Sequence, residues 1–172
     1  MSNKGATYRL LFGEEEGNRM SIRQGMVVGA GTLLQKAIRE LSGAGEYQAK
    51  LKDPTLNRVL RADIVLDNLA IELKLGFMFD TKKSAREVED IRNFAHLLSI
   101  REGHKIDPAI CLFQALSPED MRGFKAKTDG IRMMNGHELC DILDIQYRAV
   151  LKHVQAAAAA KLLSKSGLGG PS

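Results

Sequence analysis

The 172-residue chain has no tryptophan, only two cysteines, and aromatic residues at just 5%. A disulfide framework is therefore excluded. Cys111 and Cys140 sit in apolar settings without metal-motif spacing and read as reduced, buried thiols. No apolar stretch approaches bilayer length, and no basic N-terminal segment leads into an apolar run. Membrane spanning and secretion are not expected, and a cytoplasmic location is. His96, His104, His137 and His153 lack the short spacing of a zinc site and read as structural or solvent-exposed. There is no Walker loop, and Gly25, Gly29 and Gly31 do not follow a strand as a dinucleotide-binding turn requires. No nucleophile motif surrounds any Ser or Cys.

What is present is a globular composition, 44% hydrophobic and 27% charged, at a length that buries a real core in one domain. The formal net charge of +4 and a pI near 9.1 suit a polyanionic partner without demanding one.

The most informative stretch is 61–75, R-A-D-I-V-L-D-N-L-A-I-E-L-K-L. Val, Ile and Leu alternate with other residues on both sides of Asp67-Asn68, a turn-forming pair, so the stretch reads as a two-stranded hairpin. With those two residues as the loop, Leu66 faces Leu69, Val65 faces Ala70, Ile64 faces Ile71, and Asp63 faces Glu72. Strand alternation puts Lys74 on the face of Glu72 and turns Ile64, Leu66, Leu69, Ile71 and Leu73 the other way. Opposed carboxylates destabilise a sheet unless a cation lies between them, and carboxylate oxygens are the ligands Mg²⁺ prefers.

Asp63, followed across a tight hairpin by Glu72-Leu73-Lys74, resembles the active site of the PD-(D/E)XK nuclease superfamily, with Ala62 standing where the signature has Pro. The resemblance covers roughly 33–143 and implies a metal-dependent DNA endonuclease of the restriction, recombination or repair type. It implies catalytic roles for Asp63, Glu72 and Lys74, and Mg²⁺, with Mn²⁺ as substitute, held by Asp63, Glu72 and the Leu73 backbone carbonyl. In that family the Lys orients or activates the attacking water and stabilises developing charge. The first helix often adds an acidic residue, for which Glu40, the nearby Glu46, and Gln35 as a polar substitute are the candidates; each is equally an unremarkable surface or helix residue. DNA is the implied partner, with a homodimer or a targeting protein beside it.

Around this centre the elements follow in order. A helix over about 19–41 ends at Ser42-Gly43-Ala44-Gly45. A strand over 46–52 precedes the hairpin strands 61–66 and 69–75. Asp80 or Thr81 caps a helix running to about Arg101, with Val88, Ile91, Phe94, Ala95 and Leu98 as its core stripe. Lys82, Lys83 and Arg86 oppose that helix's dipole, which a nearby phosphate backbone would explain; an ordinary basic surface offset by Glu87, Glu89 and Asp90 explains it equally. Arg61, on the predicted face of Asp63, either neutralises the acidic pair or touches a phosphate. A buried strand over 109–116, a short helix after Ser117-Pro118, a strand over 131–134 and a helix from about 135 past Val150 complete the core. The acidic run Glu14-Glu15-Glu16 reads as a solvated loop or a helix's first turn.

The expected fold is α/β, a restriction-endonuclease-like core with a mixed central sheet of about five strands flanked by helices. Residues 1–154 form a single nuclease-like domain, and 155–172 an Ala-rich helical extension with a flexible Gly/Ser tail. The alternative is a non-catalytic nucleic-acid-binding or assembly module that keeps the fold, or a hairpin in which Glu72 simply pairs with Lys74 or Arg61.

Overall fold

The computed structural model describes residues 28–75, 81–114 and 130–165. The acidic run 14–16, the start of the first helix, the short helix after Ser117, and the Gly/Ser tail from 166 lie outside them. The described residues fall into two compact units, one made of the first helix with the chain from Cys140 onward, the other of Gly43–Leu139.

The second unit is built on a five-stranded mixed sheet in the order β1-β2-β3-β4-β5, with β1 Glu46–Asp53, β2 Arg58–Leu66, β3 Leu69–Lys74, β4 Asp107–Leu112 and β5 Arg132–Asn135. The first three strands are antiparallel neighbours, and β4 and β5 join in parallel. This is the α/β restriction-endonuclease-like architecture expected, with β3 as the middle strand. Helix α2, Thr81–Glu102, crosses from β3 to β4 and packs on one sheet face. Its Val88, Ile91, Phe94, Ala95 and Leu98 recur at helical spacing and bury against Ala49, Leu60, Ala62, Ala70, Ile110 and Leu112. Gly103, at φ 73, closes α2 by donating its N–H to the Ser99 carbonyl, the left-handed stop that Gly makes easily.

The hairpin register is the one alternation predicts: Leu66 pairs with Leu69, Val65 with Ala70 and Ile64 with Ile71. Its turn is held from outside, where the Asn68 carbonyl accepts from the Asp107 N–H and the Asp67 carbonyl from the His104 ring. At the other end of β1, the buried Asp53 carboxylate accepts the Thr55 and Leu56 N–H groups and so fixes the turn into β2.

The alternation expected of β2 does break. Leu60 and Ala62 pack with Val65 in the layer against α2, a spacing of three that strict alternation forbids. Between Tyr47↔Ile64 and Ala49↔Ala62 the position opposite Asp63 belongs to Gln48, whose φ of 52 is left-handed. A kink here, like a bulge, re-aims one side chain without losing the register on either side. Asp63 is that side chain. Both faces of the hairpin are consequently apolar over part of their length, instead of one greasy and one polar.

Close approach explains Gly45, at φ 84. A Cβ there would lie 2.8 Å from the Val65 carbonyl oxygen and 2.9 Å from the Leu66 side chain. Gly45→Ala is therefore expected to cost more than about 1 kcal/mol in urea denaturation. Gly43→Ala, where nothing lies within 4 Å, should cost less.

In the first unit α1, Val28–Ser42, packs against α4, Tyr147–Lys165. Leu34, Ala37 and Ile38 on α1 are buried, as are Val150, Val154 and Ala158, which recur every four residues on α4. The helix expected from 135 past Val150 is two helices: α3, Gly136–Ile142, is capped reciprocally by Asn135 and Glu138, and Asp144 at φ 53 separates it from α4. Helix α4 runs unbroken across residue 154 into the Ala-rich segment. Among the described residues no helix is long and apolar enough to cross a membrane.

Candidate active site

The kink in β2 and the end of β3 assemble the site. The Asp63 carboxylate accepts the Leu73 N–H at 2.7 Å, taking the place of a strand-to-strand backbone bond beyond the Ile64–Ile71 pair. An extended residue directs its N–H and C=O to the same side, so the Leu73 carbonyl faces β2 as well. Glu72 and Lys74 flank Leu73 and project to the α2 side, where Lys74 Nζ donates to Glu72 Oε1 at 2.7 Å and to Glu87 Oε1, on α2, at 2.8 Å.

These groups are half-buried, and that sets their electrostatics. Burial first, and the Asp63 charge second, push the Glu72 pKa up to about 6, against the pull of Lys74. Burial works to lower Lys74, but the Glu72 and Glu87 carboxylates outweigh it and its pKa is raised, so the ammonium form is held firmly. The result is a pair of neighbouring carboxylates beside a fixed cation. The donor set, two carboxylates and a strand carbonyl, is hard and all-oxygen, the kind that suits Mg²⁺. Among the described residues no group of three or more His, Cys, Asp or Glu converges as a ready metal cage. Mg²⁺ commonly completes its shell with water and substrate phosphate, so two protein carboxylates fit it.

Of the other residues singled out from sequence, Glu46 is exposed on β1 opposite Val65. Gln35 and Glu40 lie on α1 in the helical unit, where Glu40 is held by His153 and Lys36, which lower its pKa. Arg61 is exposed and paired with Lys50, on the face away from α2, so it does not share a face with Glu72 and Lys74. Arg86 is exposed and lies 3.9 Å from Asp90. Lys82 and Lys83 fall in the first turn of α2, and their side chains lie outside the described residues. Glu87 is the site residue that sequence reasoning passed over as surface charge. The signal was its place two turns into α2, the helix that follows the strand of Lys74.

The chain is similar to the type II restriction enzyme HhaII of Haemophilus parahaemolyticus, 40% identical over 82 residues, which are 47% of this chain and 36% of that protein. The matched stretch thus spans little more than a third of that relative's length. No protein-family model matches the chain, and no solved structure does.

Proposed function

We propose that the chain is a Mg²⁺-dependent DNA endonuclease of the PD-(D/E)XK kind. The observation that carries this reading is the Asp63 carboxylate seated on the Leu73 amide, with Glu72 and Lys74 on either side of that residue in the middle strand. Similarity to a restriction enzyme supports it.

Phosphodiester hydrolysis needs an in-line water, a neutralised phosphate and a stabilised leaving oxygen. Asp63, Glu72 and the Leu73 carbonyl would hold the metal ion, which supplies charge neutralisation at the scissile phosphate. Asp63 is oriented for this by the Leu73 N–H, which fixes one of its oxygens. Lys74 offers N–H donors to the attacking water and positive charge to the pentacovalent phosphate. Glu87 keeps the Lys74 ammonium on the α2 side when Glu72 is drawn away. Lys82, Lys83 and Arg86 contact the phosphate backbone, positioning the duplex without reading it. A second copy of the chain or a targeting partner supplies the second cut or the choice of site, in a cytoplasmic setting.

The closed ion-pair chain of Glu72, Lys74 and Glu87 favours one other reading, a binding module in which these charges are only structural. Labelled duplex, single-stranded and four-way-junction DNA, incubated with Mg²⁺, Mn²⁺ or EDTA, separates the two. The nuclease cuts at least one substrate with metal and none in EDTA, whereas the module binds DNA without metal and cuts nothing.

A further inference from the structure

The β1–β2 ribbon breaks a sheet rule on the side away from α2. Lys50 stands directly opposite Arg61, and Lys52 stands opposite Val59 on the same face. All four side chains are exposed, while their neighbours Ala49, Leu60 and Ala62 face α2 and are buried. Like charges directly opposed on a sheet are destabilising, whereas opposite charges there contribute favourably. Here Lys50, Lys52 and Arg61 have no ion-pair partner among the described residues, although the chain carries 21 Asp and Glu. Breaks of a local rule such as this are expected at functional or strained sites.

Resting on the nuclease reading, we infer that this face of the ribbon is a docking strip for the phosphate backbone of duplex DNA. Its three cations lie on two paired strands, and among the described residues β1 is the edge strand of the sheet. Two lysines spaced by two residues stand about 6.8 Å apart along a strand, and their long side chains span successive phosphates. Arg61 is two residues from Asp63 on the same strand. The strip lies on the face away from Glu72 and Lys74, so it grips duplex flanking the cut and not the scissile phosphate. The contacts are with phosphate, so they strengthen binding to every sequence alike.

The test is the salt dependence of binding, read by anisotropy of a labelled duplex with Ca²⁺ in place of Mg²⁺. Each lost phosphate contact lowers the slope of log affinity against log salt by about 0.9. The triple variant Lys50→Gln, Lys52→Gln, Arg61→Gln should lose about two to three units of slope. The charge-keeping variant Lys50→Arg, Lys52→Arg, Arg61→Lys should retain them. A control with the same change in net charge, Arg101→Gln, Lys105→Gln, Arg148→Gln, should keep the wild-type slope. A triple variant with an unchanged slope, or a control that falls as far, overturns the strip. Wild-type cleavage in Mg²⁺, measured alongside, reports on the nuclease reading separately: cutting with no slope change sinks the strip alone. Absence of both cutting and binding sinks both.

Discussion

Glu72→Gln is expected to abolish metal-dependent cleavage and at the same time make the metal-free protein more stable. The stability gain follows from the pKa. Glu72 is raised from 4.5 to about 6 by burial and by Asp63, so the folded chain binds this proton more tightly than the unfolded chain does. The associated stability is complete below about pH 4.5 and is lost as pH rises through about 6, leaving a deficit on the order of 2 kcal/mol at neutral pH. A neutral amide of the same shape does not incur that loss. At pH 7.5 the variant should melt about 4–8 °C higher than wild type, and at pH 4.5 at the same temperature. Added Mg²⁺ should raise the melting temperature of wild type at pH 7.5, because an ion bound by the folded state alone stabilises it, and should do little for Glu72→Gln. The cleavage rate should fall by about 10³-fold or more, since a metal site is asked for several kcal/mol and each 1.4 kcal/mol is tenfold. A variant that cuts normally, or is no more stable at neutral pH, contradicts this assignment of Glu72.

Lys74→Ala should show the opposite stability effect with a similar loss of activity. The ammonium sits 2.7 and 2.8 Å from two carboxylates, so its removal leaves Glu72 and Glu87 facing each other with Asp63 nearby. The metal-free variant should be less stable by about 1–2 kcal/mol, the groups being partly solvated. Mg²⁺ should recover much of that stability, because a divalent cation fills the same charge deficit. It should not recover the rate. Loss of one electrostatic stabiliser of a developing oxyanion costs about 10²–10³-fold, and Lys74 is assigned that role on the scissile phosphate. Thermal melts and single-turnover cleavage on the same samples separate the two effects. Recovery of both by Mg²⁺ would reduce Lys74 to a structural counter-ion.

How much of this was legible in the sequence depended on whether a local rule decides the feature. The hairpin register was legible because Asp67-Asn68 can only be a turn between two alternating runs. Helix α2 was legible because its stripe is periodic. The rotation of β2 at Asp63 was not, because it is set by the packing of Leu60 and Ala62 on α2, a tertiary demand that overrides alternation. That rotation also moved Arg61 off the face of Glu72 and Lys74. Glu87 was missed for a related reason: three residues of α2 carry negative charge near its start, and only the docking angle of the helix decides which meets Lys74. The break between α3 and α4 turns on Asp144 adopting a left-handed φ, which Asp does at modest cost and sequence does not announce.

The most direct test of the centre is cleavage of a labelled duplex by wild type and Asp63→Ala, in Mg²⁺ and in EDTA. Asp63 is the residue the β2 kink re-aims, and its carboxylate meets the Leu73 amide. Cutting by wild type in Mg²⁺ alone, with Asp63→Ala folded but inactive, is the predicted result. Equal cutting by both proteins, or cutting that persists in EDTA, would contradict a metal-dependent centre at Asp63, Glu72 and Lys74.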